Sequence, residues 1–357
     1  MHSQEHLKWL EENGLLGIAK NNAHHFRRVL KDCLGATNEK VLIVGDQGFT
    51  NRHISALIAA GYYIAALDMG LDANLIIQQV KNAGDKADKN VIAALEELPE
   101  GNIVILNLSN KLGSIKDISL SYRNYIKEKN HRFASTLSMG NLTTQYYPYV
   151  INSIDVDYKE LQEKGDRMKK LMDEANEIRI TTDLGTDLTF DVTGMTSISN
   201  TADYTMPGSG GNIPAGEVYI PPVGKYGVNG KVVIDASIRH KDGTSLVKDP
   251  VTIIVENGDV VGFEGTAEAK ILQDTIDWAL AKAKFPKNVV KIGELGIGIN
   301  PRASLVGATI IDEKIHGTAH VAIGSNKWFG GDIRTIIHLD QVFNKPNVFL
   351  DGKKLEY

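Results

Sequence analysis

A single cysteine, Cys33, stands in a chain of 357 residues, so no disulfide can form within it. Its absence of cross-links fits a reducing compartment. Long apolar runs are missing too. None approaches the ~18 residues needed to span a membrane, and the opening Met1-His2-Ser3-Gln4-Glu5-His6 is polar where a secretory leader would be apolar. Basic charge is thin: 39 Lys and Arg against 44 Asp and Glu give a net charge of -5, and the densest basic piece, Arg167-Met168-Lys169-Lys170, is short. A nucleic-acid surface needs a basic stripe. The expectation is a soluble cytoplasmic protein with neither a membrane nor a nucleic acid as partner.

What is present is ordinary globular material, 42% hydrophobic and 23% charged, in a chain longer than one typical core, which points to two domains. Residues 4–35 carry apolar positions at helical spacing, among them Leu7, Leu10, Phe26, Val29, Leu30 and Leu34. Short apolar runs follow at Val41-Leu42-Ile43-Val44, Tyr63-Ile64-Ala65-Ala66-Leu67 and Ile103-Val104-Ile105-Leu106, separated by helical stretches at 51–60, 73–80 and 90–98. Such runs read as parallel strands buried on both faces. Gly45-Asp46-Gln47-Gly48 after the first run lacks G-x-G-x-x-G spacing and reads as a turn, not a dinucleotide site.

A charged helix over 155–176 leads into a different texture. Ile178-Arg179-Ile180-Thr181-Thr182 and Leu188-Thr189-Phe190-Asp191-Val192 read as a hairpin, further β-branched runs lie at 232–235, 251–255 and 260–263, and one amphipathic helix covers 268–284. The expected architecture is an α/β domain at 1–154, a parallel sheet with flanking helices, followed by a mainly antiparallel α+β catalytic domain at 155–357.

The chemistry gathers in the second half. His338-Leu339-Asp340 places an imidazole and a carboxylate on one face of a strand. In an apolar setting this is a metal-ligand pair or a mutually bonded His–Asp couple. His320 lies among small residues in Gly317-Thr318-Ala319-His320-Val321-Ala322-Ile323-Gly324, where other groups can approach closely. Glu294 and Glu217 each stand alone in runs of Gly, Pro and apolar residues, so each requires a cation: for Glu294, Arg302 or a metal. Two His and three carboxylates suit Zn, Co, Mn or Fe(II). His316, after the charged Asp312-Glu313-Lys314, reads as surface.

These motifs resemble the aminopeptidase T/aminopeptidase S metallopeptidases, carried by Ile180-Thr181-Thr182-Asp183-Leu184-Gly185-Thr186-Asp187-Leu188, Asn212-Ile213-Pro214-Ala215-Gly216-Glu217-Val218, Glu294-Leu295-Gly296-Ile297-Gly298-Ile299-Asn300-Pro301, the His320 segment and His338-Leu339-Asp340. The resemblance implies a dimeric two-metal exopeptidase acting on small peptides, with ligands falling on Glu217, Glu294, His320, His338 and Asp340. Catalysis would use metal-activated water, with Glu217 or Glu294 carrying the proton. The family's sixth ligand, a Tyr, falls on Lys327. Either Lys327 points away, or Asn326 or a water fills in, or one metal is tight and a second weak or absent. The superfamily also resembles mononuclear Fe(II) dihydroxypyridine dioxygenases, which share the His-x-Asp element but tend to carry His where Glu294 stands. A non-peptidase metal-binding homologue is the third alternative.

Overall fold

The computed structural model describes residues 2–357. Among them the chain builds one five-stranded parallel sheet and two seven-stranded antiparallel sheets, the α/β-then-antiparallel architecture expected. Two compact units emerge: one is formed by residues up to Lys159 together with Ala202–Ala215, the other by Glu160–Thr201 and Gly216–Tyr357.

In the first unit, Ile103–Asn107 is central, with Val41–Asp46 and then Ala73–Gln78 on one side and Arg132–Thr136 and then Gly210–Asn212 on the other. All six residues of Val41–Asp46 are buried, as covered parallel strands require. Leu42, Val44, Val104 and Leu106 share a core with Val91, Leu95, Tyr125 and Ile126, which belong to the helices Lys89–Glu97 and Tyr122–Glu128.

Two sequence expectations are corrected here. Tyr63-Ile64-Ala65-Ala66-Leu67 is not a strand but the end of the helix Ile54–Asp68, and residues 73–80 are not helical but contain the strand Ala73–Gln78. The helix is buried nearly all round, so it has no polar stripe and its periodicity is silent. The turn after Val41–Asp46 is structural: Asp46 accepts hydrogen bonds from the backbone N–H of Ser109 and Gly48.

The helix Tyr158–Glu174, which enters the second unit at Glu160, precedes the hairpin of Glu177–Thr181 and Asp187–Asp191. That hairpin joins Val228–Ile234, Val251–Glu256 and Asp259–Glu264 in one sheet. Asn257 and Gly258 close the last hairpin with φ of 49° and 77°, the left-handed pair that a tight two-residue turn demands. The other sheet has Thr318–Gly324 near its middle, between Ile292–Gly298 and His338–Asn344, with Glu217–Ile220 on the far side of Ile292–Gly298. Ile292–Gly298 and Thr318–Gly324 are buried along their whole length. No helix among the described residues is long and apolar enough to cross a membrane.

Candidate metal centre

Register places the site. Glu294 pairs with Ala322, and Ala322 with Asp340, so three strands line up a carboxylate, a methyl and a carboxylate in one row. Paired residues of an antiparallel ladder point to the same face, and the small Ala322 leaves room between the two acids. In the next row Gly296 pairs with His320; in the row on the other side, Gly324 pairs with His338. Glu217 faces Gly298 from the neighbouring strand. A register shift between Ile292 and Glu294, absorbed at Gly293, re-aims the glutamate.

All five residues expected from sequence therefore meet on one face. One oxygen each from Glu294 and Asp340 and one nitrogen of His320 lie within 4.8 Å of one another. His320 Nε2 is 3.2 Å from Glu294 Oε1, and His338 Nε2 is 3.1 Å from Asp340 Oδ1 and 3.5 Å from Glu294 Oε2. His338 Nδ1 donates to the Ser325 carbonyl at 2.8 Å, which aims Nε2 at the acids, the arrangement a ligating imidazole needs. His320 Nδ1 is buried without a hydrogen-bonding partner. Convergent N and O donors, one of them oriented from behind, fit a divalent ion.

The alternative partner for Glu294 is set aside: Arg302 is exposed, and the groups against Glu294 are the two imidazoles. Lys327 also lies elsewhere. Its side chain is 63% exposed and 4.0 Å from Asp332, so it does not take a ligand's place. Asn326 is committed otherwise, donating to the Gly293 carbonyl and accepting from Ile333 N–H.

Sequence reading missed a second cluster beside the first. Glu217, Glu313 and His320 also bring ligand atoms within 4.8 Å of one another. Between the two glutamates stands Lys314, wholly buried, its Nζ against Glu217 Oε1 and 2.5 Å from Glu313 Oε1. Asp312 and Lys314 are both fully buried, whereas His316 is exposed, as expected. The available signal was Ile310, Ile311 and Ile315 bracketing the charges. Also missed was an aromatic wall. Trp328 packs on His338 with ring centroids 4.6 Å apart, Phe329 packs on Trp328 at 5.2 Å, and Tyr219 on Phe329 at 5.2 Å.

Electrostatics describe a site that holds protons where a cation would go. Burial opposes charge on His320, but Glu294, Glu217 and Asp340 hold its pKa up at about 9. Burial likewise opposes charge on His338, and Asp340 and Glu294 push it up to about 10. Burial drives Glu294 upward, tempered by both imidazoles. Asp340, despite burial, is held below the usual carboxylate range by His338, His320 and Lys314. Burial also lifts Glu313, to about 8, although Lys314 pulls the other way.

Ligation requires neutral imidazole, so metal must displace these protons. At pH 7 binding is expected to release up to two protons, and affinity should rise with pH until about 10. Calorimetry in buffers of different ionisation enthalpy measures the release. The same shifts act on the metal-free fold. Both folded pKa values exceed the ordinary histidine value of about 6.5, so their stabilisation is complete below about 6.5 and disappears as pH rises through about 9 to 10. The melting temperature of chelator-treated protein should fall across that window, more steeply than that of loaded protein.

Fold and site together define a metal-binding enzyme with an α/β unit and an antiparallel unit that carries the candidate centre. The sequence profile of the family NicX: 2,5-dihydroxypyridine 5,6-dioxygenase matches residues 148–356, more than half of the chain, and the protein belongs to that family. Among solved structures, 2,5-dihydroxypyridine dioxygenase from Pseudomonas putida KT2440 is similar with a TM-score of 0.68 and 18% identity, over 93% of this chain and 94% of that one. Wild-type AmpT from Thermus thermophilus is similar with a TM-score of 0.60 and 13% identity, over 94% of this chain and 96% of that one. No curated protein sequence matches. At such identities the likeness to solved structures speaks for the fold.

Proposed function

We propose that this protein is a single-metal, oxygen-dependent enzyme that opens a dihydroxylated nitrogen-containing aromatic ring, with Fe(II) held by Glu294, His320, His338 and Asp340. The family match over 148–356 carries this reading. It favours the ring-opening alternative over the aminopeptidase expected from the motifs. The donor set, imidazole and carboxylate, suits Fe(II). When bound, Fe(II) supplies the one-electron chemistry that allows ground-state O2 to react with an electron-rich ring.

The chain's own residues do the rest. Trp328 is 61% exposed and rests on His338, whose side chain is 23% exposed. These are the parts of the site open to solvent, so a flat substrate would enter along the aromatic wall and stack there. Glu217 Oε2 lies 3.7 Å from His320 Nε2, a carboxylate beside an imidazole. With His320 held by the metal, the Glu217 carboxylate would receive the proton of a ring hydroxyl as the ring becomes electron-rich.

Glu294 keeps a peptidase reading in view, since an acid stands there where the dihydroxypyridine dioxygenases tend to carry His. One pair of assays separates the two. Protein loaded with Fe(II) under nitrogen and then given air should consume O2 in proportion to a dihydroxypyridine. Protein loaded with Zn, Co or Mn should leave unblocked peptides intact. Release of N-terminal residues without ring-dependent oxygen uptake would sink the proposal. A further expectation concerns the wall: Trp328→Ala should raise KM for the ring by about tenfold, on the order of one stacking contact, with metal content unchanged. Steady-state kinetics beside metal analysis would check it.

A further inference from the structure

The two clusters share His320, yet they differ in one respect. Glu294, His320, His338 and Asp340 contain no permanent cation, whereas Glu217 and Glu313 already enclose the ammonium of Lys314. We infer that Lys314 is a tethered cation standing in the place of a second divalent ion, and that it holds this protein to one metal per chain. The inference rests on the reading that the first cluster takes one divalent ion.

Lys314 cannot readily yield that place. Its side chain is 0% exposed, and its backbone is tied at both ends, N–H donating to the Ile311 carbonyl and carbonyl accepting from Asn300 N–H. It lies in the short link between the helix Thr309–Asp312 and the strand Thr318–Gly324. A metal at the second cluster would have to bind the same two carboxylates that already hold Lys314. It would do so beside a fully buried ammonium, where two positive centres repel strongly because little solvent screens them. A lysine buried this way is tolerated only because it is paired, and both available carboxylates are used in the pairing.

The same geometry divides the labour between the two glutamates expected as ligand or base. Glu217 Oε1 is engaged by Lys314 and also accepts from Asn200 Nδ2 at 3.0 Å. That leaves Oε2 turned toward His320. Glu294 has both oxygens against imidazoles and no such internal cation. Glu294 is therefore the metal ligand, and Glu217 a proton acceptor positioned by Lys314.

Metal content settles the matter without any assay of turnover. The wild-type chain, incubated with excess Mn(II) and dialysed, should retain one ion per chain, with the electron paramagnetic resonance signal of an isolated ion. Lys314→Met, which removes the charge and keeps the length, should retain two, with the signal of a coupled pair. Lys314→Arg should stay at one. Two ions in the wild-type chain would overturn the inference and the single-metal stoichiometry, while ring opening stands or falls on its own oxygen-uptake assay. No tightly bound ion in the wild-type chain would overturn the single-metal reading and the inference with it. A folded Lys314→Met protein that still holds one ion would also overturn the inference. Should Lys314→Met fail to fold, the wild-type titration at millimolar Mn(II) decides: a single uncoupled ion supports the tethered cation, and a coupled pair refutes it.

Discussion

Asp340→Ala and His338→Ala are each expected to strip the protein of its metal and abolish its activity. Asp340 stands against His338 and aligns with Glu294 across Ala322, so its loss takes away one donor and the charge that orients another. Changes behind a metal ligand commonly cost ~10–100-fold in affinity; deleting the ligand itself should cost more than ~100-fold. His338→Ala removes a nitrogen donor and the hydrogen bond to Ser325. Equilibrium dialysis with Fe(II) or Mn(II) would read the loss, and far-UV circular dichroism would show that the sheet persists. A variant that keeps its metal with wild-type affinity would remove that residue from the centre.

Much of this site was legible in the chain because strand chemistry is local. The His338-x-Asp340 spacing implies one face whatever the fold. A lone Glu among Gly and apolar residues implies a buried cation-seeking group, as Glu294 and Glu217 prove to be, at 4% and 5% exposure. What stayed hidden is set by non-local register. Nothing in Asp312-Glu313-Lys314 tells that Lys314 reaches Glu217, 97 residues earlier. Three charges in a row also look like surface. Lys327 was given the role of intruding cation by position in a motif, while the cation beside the site is Lys314 on a different link. In the first unit, the end of the helix Ile54–Asp68 reads as a strand and the strand Ala73–Gln78 as a helix, because burial on nearly every side erases the periodicity that separates helix from strand. The sheet also draws a strand, Gly210–Asn212, from far along the chain, a pairing without local signature.

Gly296 is expected to be nearly as sensitive as a ligand, although it carries no side chain. It pairs with His320, and a Cβ built on it would overlap the imidazole at Cε1 and Nε2. The ring lies across the glycine, and this flat packing lets Nε2 reach both Glu294 and Glu217. Strain in the backbone is not the obstacle, since Gly296 has no left-handed φ. Gly296→Ala should therefore lower stability by about 1–3 kcal/mol, the usual cost of overpacking a full core, and weaken metal binding by ~10–100-fold as the ring is displaced. A double-mutant cycle isolates the cause. In a His320→Ala background the ring is gone, so Gly296→Ala should cost little further stability there. Denaturant melts of the four proteins supply the numbers. If Gly296→Ala is as damaging without the imidazole as with it, the glycine serves the strand pairing instead, and the closeness of His320 to the acids needs another explanation.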